Sequence, residues 1–346
     1  MTGRKVRFAL VGCGRIAKNH FHSVDVHKER AELVDVCDVD PGALREAVSA
    51  TGARGHADIE ALLRHTDADC VVLTTPSGLH STQAIQVAAS GRHVLTEKPM
   101  ATRWQDGLDM LRACDRANVR LFVVKQNRRN ATLRLLKQAV EKNRFGRIYM
   151  VVVNVFWQRP QSYYDQAAWR GTWDLDGGAF MNQASHYVDL LEWIGGPVQY
   201  VHAVAGTLAR NIEVEDTGVI TVQWRNGAMG SLNCTMLTYP KNLEGSITVL
   251  GERGTVRIGG VAVNEIQQWE FDRAEPEDEE ILAASYETTS VYGFGHPLYY
   301  DNVIRTLRGE AEPDVDGASG LRSLEILCAA YRSIRDGVRV GLPLAL

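Results

Sequence analysis

The chain of 346 residues has little that would place it in a membrane, on nucleic acid or in a disulfide framework. No apolar run reaches the roughly 20 residues of a membrane-spanning helix, so no membrane partner is expected. The N-terminus, MTGRKVRFALVGCG, passes from a short basic start straight into a strand-like run. It lacks a signal-type apolar core and a small-residue cleavage site, and a cytoplasmic location is expected. The formal net charge of −4 offers no field for nucleic acid or anionic lipid. The six cysteines, Cys13, Cys37, Cys70, Cys114, Cys234 and Cys328, include no CxxC pair. Their scatter through apolar segments predicts reduced, buried thiols and no metal site. There is no internal repeat, and the one acidic patch, Glu275 to Glu280, reads as a solvated loop. What is present is an ordinary composition, 45% hydrophobic and 23% charged, long enough for two domains with sizeable cores.

The first half alternates strands and helices. Lys5 to Val11 is a buried-type strand that runs into Gly12-Cys13-Gly14-Arg15-Ile16-Ala17, a GxGxxA turn, and then a helix. A second strand ends at Asp38, and Asp40-Pro41 starts the next helix with a capping residue and a first-turn proline. Strand, glycine turn, helix, strand and terminal acid in that order is a dinucleotide-binding signature. The glycines admit a pyrophosphate, the helix start supplies N–H donors, and Asp38 accepts from the adenosine ribose hydroxyls. Further strands end at Thr75-Pro76 and at Glu97-Lys98-Pro99. A mostly parallel, doubly wound sheet follows, with Gly12, Asp38, Thr75, Pro76 and Lys98 at the carboxyl ends of its strands, where such sheets bind ligands. A carboxylate at Asp38, followed by the uncharged Val39, repels a 2′-phosphate and predicts NAD rather than NADP.

The character changes near Gln126. After one helix come runs rich in β-formers with hairpin-type turns such as Arg225-Asn226-Gly227. They predict one large, mainly antiparallel sheet carrying a second domain. The division is residues 1–125 for the dinucleotide domain and 126–346 for an α/β substrate and assembly domain. A wide sheet with helices on one face calls for a partner on the other, so a homotetramer, or a homodimer, is expected.

Within the second domain, Asp176 to Gly196 reads as a helix entered through Gly177-Gly178. Asn182, His186 and Asp189 fall at i, i+4 and i+7 and share a face, while Phe180, Ala184, Tyr187, Val188 and Leu191 form an apolar face suited to a core. The paired glycines leave backbone N–H groups at the helix start for an anion. Lys98, pinned by the proline that follows it, stands at the mouth of the dinucleotide crevice, where a lysine holds a substrate hydroxyl or acts as acid or base. A core histidine and a solvated lysine are the plain alternatives for these two residues.

The motifs GCGRIA, TPSGLH, EKP and DGGAFMNQASHYVD, in this order and spacing, resemble those of the Gfo/Idh/MocA oxidoreductases over nearly the whole chain. The resemblance implies a Rossmann domain, an open-sheet α/β domain and hydride exchange between a nicotinamide cofactor and a hydroxyl carbon, commonly of a sugar. It implies cofactor contacts at Gly14, Arg15 and Ile16 of the first motif, at His80 of TPSGLH, and at Glu97 and Lys98 of EKP. Lys98 and His186 match the family's two main catalytic groups. Asn182 stands where many members carry Asp, which leaves His186 as the base.

The segments WRGTWDLDGGAFMNQASH, YPKNLEGSITVLGERGTVRIGG and GFGHPLYYDNVIRTLRG are similar to the subgroup that oxidises UDP-N-acetylglucosaminuronate (UDP-GlcNAcA) at C3 in the biosynthesis of bacterial surface polysaccharides such as O-antigen. That resemblance implies a UDP-sugar substrate and makes Arg159, Tyr163, Tyr164, Arg170 and Lys241 candidates for its carboxylate, sugar or diphosphate. Lys98, Asn182 and His186 are candidates for the reacting end. Two rival readings are a dehydrogenase of a free sugar, inositol or diol, and a catalytically silent NAD-binding regulator.

Overall fold

Short runs of Val, Leu and Phe between turns build the first sheet. The computed structural model describes residues 4–288 and 294–345; Gly293, at the start of the GFGHPLYY segment, lies outside them. The strands are β1 (Val6–Val11), β2 (Ala31–Cys37), β3 (Arg54–His56), β4 (Cys70–Leu73), β5 (His93–Thr96) and β6 (Leu121–Val123). Their order is β3-β2-β1-β4-β5-β6, and every pair is parallel. Strands β1 and β4 are almost wholly buried, as strands of a sheet covered on both faces must be. The chain moves outward from β1 to β3 and then returns to β4, so the topological switch lies between β1 and β4. The helices α1 (Ala17–Val26), α2 (Pro41–Thr51), α3 (Ile59–His65), α4 (His80–Ala89) and α5 (Trp104–Arg116) connect these strands. Two of them are capped by an aspartate side chain, the first as its sequence suggests. Asp40 accepts from Ala43 N–H ahead of α2, and Asp58 accepts from Ala61 N–H ahead of α3, each at 2.6 Å.

The second sheet contains β7 (Ile148–Phe156), β8 (Val198–Gly206), β9 (Thr217–Trp224), β10 (Met229–Thr235), β11 (Glu244–Gly251), β12 (Gly254–Gly259), β13 (Glu265–Phe271) and β14 (Val340–Gly341). The order is β13-β12-β11-β7-β10-β9-β8-β14. Strands β7 and β10 run parallel and the other pairs antiparallel, so the sheet is mixed but mostly antiparallel. The helices that follow β6 along the chain are α6 (Ala131–Glu141), α7 (Gln161–Tyr164), α8 (Ser185–Gly195), α9 (Ile281–Ala284), α10 (Gly295–Leu307) and α11 (Gly317–Asp336).

Alternation along β7 divides the sheet's faces. Val151, Val153 and Val155 are fully buried, on the side of α8. The opposite face carries cross-strand rows such as Leu250–Met150–Met229–Gln223–Tyr200, in register across five strands. Met150 and Met229 on that face are 40% and 56% exposed.

The chain resolves into two compact units. One comprises residues 1–125 with 296–321, and the other residues 126–295 with 322–346. The first unit is thus built from two separated stretches of sequence. The acidic segment Glu275 to Glu280 is not the solvated loop its composition suggests. Pro276–Glu280 forms a 3₁₀ turn with a capping box, and the Arg144 guanidinium meets both carboxylate oxygens of Asp278 at 2.6 and 2.8 Å. Buried Glu277 takes Lys142 at 2.7 Å. Two cations just after α6 turn an apparent charge run into a structural clasp. All six cysteines are free thiols. Among the described residues no helix is long and apolar enough to cross a membrane.

Candidate active site

In the first unit the glycine turn is shaped by contact with the neighbouring strand end. Gly12 has φ +97°, and a Cβ there would lie 2.8 Å from the backbone of Thr74 and Thr75. Only glycine fits. The space beside Gly14 is open, and Arg15 is exposed next to it. Ile16 stands at the start of α1. Asp38 is brought to the same turn: its carboxylate accepts from Cys13 N–H at 2.6 Å and from Asp40 N–H at 2.8 Å. The acid therefore has a fixed direction at the end of β2. A cradle that a Cβ would fill, an open glycine and a fixed carboxylate fit a dinucleotide.

The ends of β4 and β5 are joined by His80. Its Nε2 lies 2.9 Å from the Thr75 carbonyl oxygen and its Nδ1 2.9 Å from the Pro99 carbonyl oxygen. Burial pushes the His80 pKa down, against the two carbonyls and Glu97, which push it up. The ring ties the Thr75-Pro76 turn to the turn that carries Lys98. Lys98 is half-buried, and its backbone N–H donates to Glu97 Oε2 at 3.1 Å.

In the second unit the helix expected from Asp176 to Gly196 is two pieces. Residues Ala179–Gln183 make a π-helical turn, closed by Ala184 N–H donating to the Ala179 carbonyl at 2.8 Å, and α8 follows. His186 lies in the first turn of α8 and is buried. Gln126 Nε2 lies 3.1 Å from its Nε2. Asn182 donates to the Asp176 carboxylate, whose other oxygen takes Gly171 N–H at 2.7 Å. Asp189 is claimed by Arg128, with two hydrogen bonds of 2.7 Å between largely buried groups. The apolar face is as expected: Phe180, Ala184, Tyr187, Val188 and Leu191 are fully buried.

The expected open anion site at the helix start is not open. Ala179 N–H donates to the Glu215 carbonyl, Phe180 N–H to Glu215 Oε1 at 2.8 Å, and Met181 N–H to the Tyr331 hydroxyl. The donors are taken by the protein's own acid and tyrosine. Tyr331 O–H also approaches Glu215 Oε1 at 2.8 Å. A Cβ on Gly178, at φ +82°, would run into the Glu215 carboxylate. Burial raises the Glu215 pKa to about 7 against these donors.

The candidate substrate residues split. Arg159 and Arg170 both lie over the Tyr163 ring, at 5.5 and 4.3 Å from its centroid. Arg159 Nε donates to Gln183 Oε1 at 3.0 Å and its Nη1 to Asn242 Oδ1 at 3.3 Å. Gln183 in turn donates to the Tyr163 hydroxyl. A cluster of Arg159, Tyr163, Gln183 and Asn242 thus adjoins the π-helical turn. Tyr164 is buried, and burial pushes its pKa up. Lys241 is exposed. Gln126, Gln183, Glu215 and Asn242 escape a reading by motif. Gln183 alone carried a signal, one position after Asn182.

Residues 6–125 match the NAD-binding Rossmann-fold domain of the GFO_IDH_MocA oxidoreductase family, and residues 137–342 match its C-terminal alpha/beta domain. Two solved structures are similar over the whole chain. The WlbA dehydrogenase of Chromobacterium violaceum, in complex with NADH and UDP-GlcNAcA, is 68% identical with a TM-score of 0.97, covering 100% of this chain and 98% of its own. The WlbA dehydrogenase of Bordetella pertussis, with the same two molecules, is 66% identical with a TM-score of 0.98, covering 100% of both chains. A D-apiose dehydrogenase of Paraburkholderia graminis is 25% identical, covering 99% of this chain and 91% of its own. The chain belongs to the Gfo/Idh/MocA oxidoreductase family.

Proposed function

We propose that the chain is an NAD-dependent dehydrogenase that oxidises the C3 hydroxyl of UDP-GlcNAcA to the 3-keto sugar. The observation that carries this is the identity of 66 to 68%, over the full chain, to two dehydrogenases crystallised with NADH and UDP-GlcNAcA. The glycine cradle and Asp38 support the cofactor half of the reading, and the Arg159–Tyr163 cluster the anionic-sugar half.

Bound NAD supplies the hydride acceptor. His186 takes the hydroxyl proton. Its Nε2 is kept unprotonated by the Gln126 amide N–H, and this lone pair takes the proton once the substrate hydroxyl displaces the amide. Lys98 orients the hydroxyl and stabilises the developing alkoxide. Asn182 is uncharged and tied to Asp176, so it positions and does not relay. Arg159 and Arg170 offer guanidinium groups to a substrate with a carboxylate and a diphosphate, which a chain of net charge −4 must otherwise repel. A cytoplasmic enzyme using a cytoplasmic nucleotide sugar is the matching location, and we assign it to surface-polysaccharide biosynthesis.

The test is cofactor reduction with a panel of UDP-GlcNAcA, UDP-N-acetylglucosamine, myo-inositol and free glucose. UDP-GlcNAcA should be the best substrate. Losing a buried charged partner costs about 2–5 kcal/mol, roughly 30-fold or more in efficiency, so UDP-N-acetylglucosamine should fall at least that far behind. Better use of myo-inositol or glucose would remove the substrate assignment and leave the family intact. No turnover with any sugar would favour the regulator.

A further inference from the structure

Glu97 is a buried acid in the first unit whose two carboxylate oxygens both face partners from the protein itself. Oε1 lies 3.1 Å from His20 Nε2 and 3.5 Å from His296 Nε2, and Oε2 accepts the Lys98 backbone N–H at 3.1 Å. All three side chains are buried, His20 completely. A carboxylate only accepts, so His20 carries its proton on Nε2. Its Nδ1 then accepts from the Tyr300 hydroxyl at 2.8 Å. The hydrogen bonds run in one direction, Tyr300 to His20 to Glu97. Burial pushes the His20 pKa down, which keeps the ring neutral in this tautomer. Burial pushes the Glu97 pKa up, but the two imidazoles outweigh it and hold the acid ionised. The groups that face this carboxylate are His20 from α1, His296 and Tyr300 from α10, and Lys98 beside it. His80 from α4 feels the charges of both Glu97 and Lys98.

We propose that Glu97 is a positioning residue for Lys98, clamping the lysine's turn to the helix that leaves the glycine turn and to α10. The seat of the cofactor's pyrophosphate and the backbone of Lys98 are then braced by one carboxylate, so neither shifts without the other. This rests on the catalytic role given to Lys98 above. It differs from a direct cofactor contact by the Glu97 side chain, because that carboxylate is buried and each of its oxygens faces a partner within the first unit.

The experiment uses the full-length enzyme and two variants, Glu97→Gln and Tyr300→Phe. An amide offers one acceptor where the carboxylate offers two, and it carries no charge. Phenylalanine removes only the hydroxyl that donates to His20 Nδ1, so it tests the clamp even if Glu97→Gln fails to fold. A readout free of substrate comes from the lysines. The chain has eight, and reductive ¹³C-methylation gives each an NMR signal, with Lys98 assigned by its loss in Lys98→Met. The Lys98 midpoint should fall in Glu97→Gln, since an adjacent negative charge favours the ammonium, while Lys241 stays put. In turnover, kcat should drop about tenfold or more in Glu97→Gln and several-fold in Tyr300→Phe, with KM for NAD within about threefold, the pattern of a group that orients chemistry more than binding. If both variants only lower Tm, with kcat and the Lys98 midpoint unchanged, the clamp is structural and the proposal is overturned. Stoichiometric metal in the purified enzyme would also overturn it, because His20, Glu97 and His296 present ligand atoms within 4.8 Å of one another. Should the UDP-sugar prove to be the wrong substrate, the lysine titration still decides.

Discussion

Gln126 Nε2 lies 3.1 Å from His186 Nε2, 60 residues away in sequence. An amide nitrogen donates, so the imidazole nitrogen that faces it accepts. In the base role proposed for His186, Gln126 selects the tautomer. Gln126→Leu removes the selector and should lower kcat roughly tenfold with KM for NAD within about threefold. Gln126→Glu should be worse, because a carboxylate draws a proton onto that same nitrogen and occupies the base; losing general-base action costs about 10²- to 10⁴-fold. Steady-state kinetics on the two variants checks the ranking, and equal activity would show that the tautomer is set elsewhere.

His186→Asn keeps a polar side chain and removes the base. Lys98→Met keeps the stem and removes the charge. Each should cost on the order of 10²- to 10⁴-fold in kcat, and Lys98→Met should alter NADH affinity much less, as read by fluorescence titration. Near-normal turnover in both would move the active site elsewhere.

Asp38 is fixed by Cys13 N–H and Asp40 N–H, which keeps its charge at the turn proposed to hold the adenosine ribose. The kcat/KM with NAD should exceed that with NADP by about two decades, and Asp38→Ala should narrow the gap by about one. The variant will also lose some NAD efficiency, because the glycine turn loses its anchor. Equal use of both cofactors by the wild type would refute this account of Asp38.

Glu215 gives a pH signature in stability. Burial raises its pKa from 4.5 to about 7. A raised acid stabilises the fold fully below its unfolded value, and this contribution is lost as pH climbs through about 7. The loss is on the order of 3 kcal/mol across that window. Glu215→Gln has nothing to ionise. The Tm of the wild type relative to the variant should therefore fall by several degrees from pH 5 to pH 8, measured by differential scanning fluorimetry. A constant difference across that range would mean the carboxylate finds a partner when ionised.

The open face of the second sheet, with Met150 and Met229 in one cross-strand row and both exposed, predicts self-association. Light scattering at micromolar protein should give a tetramer, or at least a dimer. Replacing both methionines by lysine should shift the mass toward the monomer.

What the sequence makes legible follows from how far apart the partners lie along it. The glycine turn and Asp38 are readable because the whole unit from Gly12 to Asp38 is one strand–helix–strand segment with local rules. His186 and Asp189, three apart in α8, are readable because helical spacing is local too, but Asn182 sits in the π-helical turn ahead of α8, where that spacing does not hold. The residues that tune these groups are not. Gln126 reaches His186 across 60 positions, and Tyr300 reaches His20 across 280. No periodicity encodes such pairs. The open anion site expected at Gly177-Gly178 fails for the same reason, since Glu215 arrives from the loop before β9 and Tyr331 from α11 to take the donors. The acidic segment near Glu277 misleads because composition cannot see Lys142 and Arg144 waiting for it.

The return of residues 296–321 to the first unit bears on modularity. A gene fragment ending at Lys125 holds every motif of the dinucleotide signature but omits His296 and Tyr300. It would strand the Glu97 charge inside an apolar core with one imidazole partner where the complete unit has two, and leave His20 Nδ1 without the hydroxyl that fixes it. The nucleotide-binding half is therefore not a cassette that recombination could move by a single crossover. Any exchange of this half between relatives has to carry the helix near the far end of the chain along with it.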